Sequence, residues 1–119
     1  MRKSPSKSPD VLFGHLLDSI QKIREFLGGM SFAEFVDDEK TQAAVERKLL
    51  VISEVAIRLG HRAEELCPEI PWHDIRGTGN WIRHQYDDLD VESVWDTVHA
   101  GLPPLEAAVK RALTTSRPS

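Results

Sequence analysis

Apolar side chains recur at intervals of three and four residues along most of this chain, which is the pattern of amphipathic α-helices. The first such stretch follows Asp10, a residue type that often caps helix N-termini, and it ends at Gly28-Gly29. The longest stretch runs from Asp38 to Gly60. Its apolar stripe consists of Ala44, Val45, Leu49, Ile52, Val55, Ala56 and Leu59. These two stretches predict the two longest helices of the domain.

Shorter helical segments fill the rest of the chain. They are a capping-box helix at Ser31, a helix from Pro71 to Tyr86, a helix that Asp90 caps and that reaches about Ala100, and a last helix through Leu113. The sequence Gly101-Leu102-Pro103-Pro104 is expected to break the chain between the last two. Sustained alternation of apolar and polar residues, the pattern of strands, is absent. We therefore expect an all-α, up-and-down bundle of about five helices.

Length and composition fit one domain. The chain has 119 residues, of which 40% are hydrophobic and 29% charged. We expect a disordered basic tail at residues 1–9, a helical domain at 10–114 and a frayed C-terminus at 115–119. No apolar run approaches the roughly 20 residues that a membrane span needs. The single cysteine excludes an intrachain disulfide, which fits a cytoplasmic protein.

Candidate chemistry is concentrated between Pro71 and Tyr86, where five polar side chains share one helix face. At about 100° per residue they fall within an arc of about 100°: His73, Arg76, Asn80, Arg83 and His84. Ile75 and Ile82 lie on the opposite side. Two glycines within the segment, at 77 and 79, each cost about 1 kcal/mol relative to Ala in a helix interior. They predict a kink or a close backbone approach near them.

Histidine, guanidinium and amide groups on one face suit phosphodiester chemistry. Histidine transfers protons near neutral pH, and guanidinium stabilises charge on a phosphate without titrating. RNA carries its own nucleophile, the 2′-hydroxyl, so we expect neither a metal nor another cofactor. The net charge of −4 argues against broad capture of nucleic acid, although this segment is locally basic. The alternative is that these residues are simply the solvated face of an amphipathic helix.

One residue outside this face extends the candidate set. Glu54 lies at the edge of the apolar stripe of the 38–60 helix, and His73, the first member of the basic face, supports the same candidate site. Glu54 could be an ordinary half-exposed carboxylate or could face the basic side of the 71–86 helix. Because one helix presents a single well-placed histidine, a symmetric homodimer with the two helices facing each other would supply the second.

The chain resembles the HepT-like branch of the HEPN superfamily of small helical proteins. The resemblance runs from about Val11 to Leu113, and four segments carry it: FLGGMSFAEFVDDEKTQAAVERKLLVISEVAIRLG (26–60), PEIPWHDIRG (68–77), GNWIRHQYDDLD (79–90) and VWDTVHAGLPPLE (94–106). It implies a HEPN-like helical bundle that dimerises. It also implies a metal-independent ribonuclease toxin that acts on RNA and is paired with a minimal nucleotidyltransferase as antitoxin.

The family motif is an Arg followed by a polar residue, a His four to six positions after the Arg, and a Tyr two further on. The resemblance assigns Asn80 to the polar residue, His84 to the catalytic His and Tyr86 to the residue that the antitoxin nucleotidylates. The expected Arg is replaced by Gly79.

Two hypotheses follow from the replaced Arg. In the first, Arg76 or Arg83 supplies the missing guanidinium, in the same subunit or across a dimer. In the second, the chain is a non-catalytic adaptor that binds the nucleotidyltransferase and a nucleotide.

Overall fold

The computed structural model describes residues 8–84 and 90–116, with only the backbone described at His84 and Ser116. Every element within these residues is helical. The elements are α1 (Pro9–Leu27), α2 (Phe32–Val36), α3 (Glu39–Leu59), α4 (His61–Leu66), α5 (Trp72–His84), α6 (Val91–Asp96), a π-helical turn (Thr97–Gly101) and α7 (Leu102–Ser116). The described residues contain no strand. The prediction of an all-α, HEPN-like bundle is confirmed.

Helix ends follow the local capping chemistry, with one correction to the sequence interpretation. Gly28, with φ of 52°, ends α1, and Ser31 forms the predicted capping box with Glu34. The N-cap of α1 is Ser8 and not Asp10, because Ser8 Oγ accepts a hydrogen bond from the Val11 amide at 3.3 Å. Pro9, which suits the first helical position, moves the start of the helix one residue ahead of Asp10.

Helix α3 is the central element, since it packs against α1 and against α5. The core is built mainly from the apolar faces of these helices and of α7, and the shorter elements add residues such as Phe35, Ala63 and Val94. Trp72, at the start of α5, is 1% exposed, and its indole N–H donates to the Cys67 carbonyl at 2.9 Å. This bond satisfies the polar atom of a large buried ring and fixes where α5 begins.

The predicted break between the last two helices is wrong. The chain remains helical from Val91 to Ser116, because the π-helical turn joins α6 to α7. Pro103 and Pro104 fall in the first turn of α7, where a missing backbone N–H is tolerated. Helix α7 reaches Ser116, two residues beyond the predicted end of the domain. None of the helices in the described part of the chain is long and apolar enough to span a membrane.

Candidate functional site

The contact between α3 and α5 centres on one serine and one glycine. Ser53 is fully buried, and its hydroxyl makes two hydrogen bonds to the backbone of α5. Its Oγ donates to the Arg76 carbonyl at 2.9 Å and accepts from the Gly79 amide at 3.1 Å. The two bonds satisfy the Ser53 hydroxyl, which would destabilise the fold if it were buried without a partner. They also fix the position of α5 along α3.

Gly79 is buried because α3 approaches it closely. A Cβ atom at this position would lie 2.5 Å from Ser53 Oγ, 2.9 Å from Ser53 Cβ and 3.3 Å from Leu50 Cδ1. A side chain of any size therefore requires the two helices to separate. The close approach to the backbone of Gly79 is made by the Ser53 and Leu50 side chains of α3, whereas a Cβ at Gly77 would meet nothing within 4 Å.

Arg76 ties α5 to the end of α3 and to α4. Its Nε donates to the Ala56 carbonyl at 3.2 Å, and Nη2 donates to the Gly60 carbonyl at 2.9 Å. Both Nη atoms also bind the Glu64 carboxylate, at 2.7 and 2.8 Å. These hydrogen bonds from Arg76 lower the pKa of Glu64 to about 2. The sequence places Arg76 beside the other polar groups of α5, but the structure turns its guanidinium toward α3 and α4.

Arg83 has a looser environment near the C-terminal end of α5. Its Nη2 lies 3.5 Å from the Glu54 carboxylate, and the two side chains are 44% and 45% exposed. Glu54 is therefore half-exposed and at the same time lies beside the basic side of α5. An exposed ion pair of this kind contributes only about 0.2–1 kcal/mol, so a phosphate can compete for the Arg83 guanidinium.

The structure describes only some of the remaining candidate residues. His73 and Asn80 are exposed on α5, and Ile82 is buried on its opposite side, as the helical pattern predicts. His84 is the last residue of α5, but its side chain lies outside the described part of the structure. Tyr86 falls within residues 85–89, which also lie outside it. Among the described residues, no group of three or more His, Cys, Asp or Glu side chains could hold a metal ion.

A family model described as ribonuclease HepT-like matches residues 16–112. The chain belongs to the HepT-like family. It is 32% identical over 96 residues to a protein of Thermococcus cleftensis named as a probable ribonuclease HepT, covering 81% of this chain and 87% of that protein. It is 30% identical over 107 residues to a candidate RNase of Caldanaerobacter subterraneus subsp. tengcongensis, covering 90% of this chain and 96% of that protein. No solved structure matches the chain significantly.

Sequence reasoning missed two residues that shape this HepT-like site, Ser53 and Glu64. Ser53 has a weak sequence signal, since it is a small polar residue between Ile52 and Val55 on the buried side of α3. Glu64 has none, because the carboxylate that pairs with Arg76 lies twelve residues before it on a different helix. Glu64 binds the Arg76 guanidinium and so leaves Arg83 as the more exposed of these two arginines of α5.

Proposed function

We propose that this HepT-like chain is a metal-independent endoribonuclease in which His84 transfers protons and Arg83 stabilises the phosphate. The observation that carries the proposal is the exposed, weakly paired Arg83 guanidinium, located immediately before the motif histidine. Membership of a family whose model is described as ribonuclease HepT-like supplies the reaction class. Asn80, one turn before His84, would orient the phosphate or the imidazole.

The reaction needs only groups that RNA and the protein provide. A neutral imidazole removes the proton of the 2′-hydroxyl, and the 2′-oxygen attacks the adjacent phosphorus. The bond from phosphorus to the 5′-oxygen breaks, and that oxygen takes a proton from an imidazolium. The products are a 2′,3′-cyclic phosphate and a 5′-hydroxyl. A guanidinium held near the phosphate stabilises the negative charge that builds on its oxygens.

Arg83 suits the phosphate-stabilising role better than Arg76. The Arg76 guanidinium already binds two carbonyl oxygens and a carboxylate, so turning it toward a phosphate would break four hydrogen bonds. Among the described residues, the Arg83 guanidinium pairs with one exposed carboxylate, Glu54, which can guide it without saturating it. His73, exposed on the same helix, would add positive charge for RNA when it is protonated.

A homodimer would complete the site. Consecutive positions of an α-helix are rotated by about 100°, so positions 83 and 84 lie on different faces of α5. An Arg83 that serves its own His84 must bend around the helix, whereas an Arg83 of a facing subunit can approach directly. Each of the two shared sites would then hold one His84, which accepts the proton of the 2′-hydroxyl and returns it to the leaving oxygen, and one Arg83 of the facing subunit.

The same proposal includes a role for the chain as a toxin that a partner protein silences. The chain would act in the cytoplasm as the toxin of a two-component system, with a minimal nucleotidyltransferase as its antitoxin. Nucleotidylation of Tyr86, two residues after His84, would place a bulky anion beside the site and exclude RNA. Mass spectrometry after co-expression with the nucleotidyltransferase tests this regulation. An unmodified Tyr86 would contradict it.

The test of the enzymatic proposal is cleavage of labelled RNA by unmodified protein in the presence of EDTA. We expect fragments that end in a 2′,3′-cyclic phosphate. His84→Ala should lower the rate by about 10²–10⁴-fold, the usual contribution of a general acid or base. His15→Ala removes an exposed histidine of α1 and should leave the rate unchanged. Absence of cleavage by the unmodified parent chain would exclude the enzyme.

A second function is favoured by one specific observation, the contact between Gly79 and Ser53. It leaves no space for the motif arginine at position 79 in this packing of α3 and α5. Under this proposal the chain is a non-catalytic adaptor that uses the exposed face of α5 to bind the nucleotidyltransferase. A stable complex with that partner, combined with no RNA cleavage, would distinguish the adaptor from the enzyme.

A further inference from the structure

A cavity of about 590 Å³ lies on the side of α5 away from Arg76 and Arg83. It is bounded by α3, the first turns of α5, the π-helical turn and the start of α7. Its walls are mainly apolar: Leu49, Ile52, Ile70, Ile75, Leu102 and Leu105. The volume falls within the range of roughly 300–1,000 Å³ that is typical of sites for small organic molecules. The cavity is therefore large enough for an apolar ligand of modest size.

The charged residues that line this cavity are all acidic. They are Glu69, Asp74 and Asp96, and no Lys or Arg lines it among the described residues. Glu69 is paired with Arg111, so its charge is largely compensated. Asp74 and Asp96 are exposed and form no ion pair with any described residue. Two uncompensated carboxylates beside an apolar wall favour a cation and repel an anion.

The π-helical turn adds further acceptors at the same place. Pro103 and Pro104 have no backbone N–H, so they supply no donor to the carbonyls of His99 and Ala100 one turn earlier. Ala100 and Gly101 both line the cavity. π-Helical turns within longer helices are often found at functional sites. A ligand with hydrogen-bond donors would thus be complementary to the backbone carbonyls of this turn.

We propose that this cavity binds a small organic amine with an apolar aliphatic or aromatic body. The body would lie against the side chains of α3 and α5, and the ammonium group would lie between Asp74, Asp96 and the Ala100 carbonyl. The site is separate from Arg83, and it does not depend on whether the chain cleaves RNA.

The first test is a titration of the full chain with three matched probes, followed by NMR chemical shifts of backbone amides. The probes are 4-phenylbutylamine, 4-phenylbutan-1-ol and 4-phenylbutyrate, which share one apolar body. We expect shifts at Thr97 and Ala100, with the amine binding about three- to tenfold more tightly than the alcohol, since each exposed charge pair contributes modestly. The carboxylate should bind most weakly. Equal affinity of amine and alcohol, or no binding of any probe, would overturn the proposal.

Two pairs of variants locate the binding. Gly101→Leu places a side chain in open space at the cavity wall and should abolish amine binding, whereas Gly14→Leu, equally open on α1, should not. Asp74→Asn/Asp96→Asn should remove the preference for amine over alcohol, whereas Asp18→Asn/Asp37→Asn changes the net charge equally and should preserve it. The aspartate variants change only exposed side chains, so they remain informative if Gly101→Leu does not fold. An amine preference that survives the Asp74→Asn/Asp96→Asn change would contradict the site.

Discussion

Ser53 and Gly79 determine how closely α5 approaches α3. The serine hydroxyl joins two backbone groups of α5, and the missing Cβ of the glycine allows that approach. Gly79, the residue at the position where the resemblance predicts an Arg, is therefore also the residue on which the local packing depends. In this HepT-like chain, replacing Gly79 by Arg would require α3 or α5 to move.

Gly79→Ala is expected to lower the free energy of unfolding. Overpacking costs about 1–3 kcal/mol, because the new methyl group would lie 2.5 Å from Ser53 Oγ. The better helix propensity of Ala offsets about 1 kcal/mol of this. Urea unfolding measures the net effect. Gly77→Ala is the matched control, and it should stabilise the protein since its Cβ meets nothing within 4 Å. Equal effects of the two substitutions would contradict the close contact.

At this scale the sequence predicts which side chains are polar and in which direction they leave an ideal helix, but not which partners they find. The place of Glu54 at the edge of the apolar stripe leaves its orientation open, and the structure shows it beside Arg83. The orientation of Arg76 does not follow from the sequence, because its partners Ala56, Gly60 and Glu64 lie 20, 16 and 12 residues away in the chain. A long side chain selects partners that only the packed helices bring within reach.

At the scale of elements, the Arg76–Glu64 pair joins α5 to α4 and to the end of α3. The folded-state pKa of Glu64 is about 2, against an ordinary value of 4.5, because Arg76 donates hydrogen bonds to its charged form. A depressed carboxylate pKa means that the associated stability is fully present above pH 4.5 and is lost as the pH falls toward 2.

Glu64→Gln should therefore destabilise the protein most at neutral pH, and the difference from the parent should narrow between pH 5 and pH 2. Urea midpoints measured across this interval test the prediction. Glu65→Gln is a matched control, since Glu65 is an exposed neighbour that forms no ion pair with a described residue. A constant difference between parent and Glu64→Gln at all pH values would show that the pair does not stabilise the fold.

The π-helical turn shows where helix prediction from sequence fails at this scale. Gly101 and two prolines in succession indicate a break, since Pro lacks a donor and Gly is a poor helix former. The structure instead widens one turn and places both prolines at the start of α7. Packing of Val98, Leu102 and Leu105 into the core keeps the helix direction. Local propensity could not indicate this, because the compensation comes from tertiary contacts.

At the scale of the whole molecule, the two sides of α5 differ in charge and accessibility. One side presents Arg83 with its weak partner Glu54, and the other borders the apolar cavity with Asp74 on its rim. The bundle and its main helices follow from the periodicity of the sequence. The difference in charge and accessibility between the two sides of α5 does not follow from the periodicity, since it depends on which faces α3 and α7 cover.

Mixing two variants tests whether the proposed site is shared between subunits. His84→Ala and Arg83→Gln should each be inactive as homodimers. If Arg83 serves the His84 of a facing subunit, half of the randomly mixed dimers carry one intact site, so about a quarter of the parental activity should return. If both residues act within one subunit, no mixed dimer contains an intact site. No recovery after confirmed exchange of subunits would therefore contradict the shared site.

The most direct test of the central claim is the rate of RNA cleavage, in EDTA, by the unmodified chain and by Arg83→Gln. Arg47→Gln, which removes an exposed arginine of α3, is the matched control. We expect the parent and the control to cleave RNA equally, and Arg83→Gln to be about 10²–10³-fold slower, the usual loss when one stabilising donor is removed. A parent chain that does not cleave, or an Arg83→Gln variant that cleaves at the parental rate, would contradict the account.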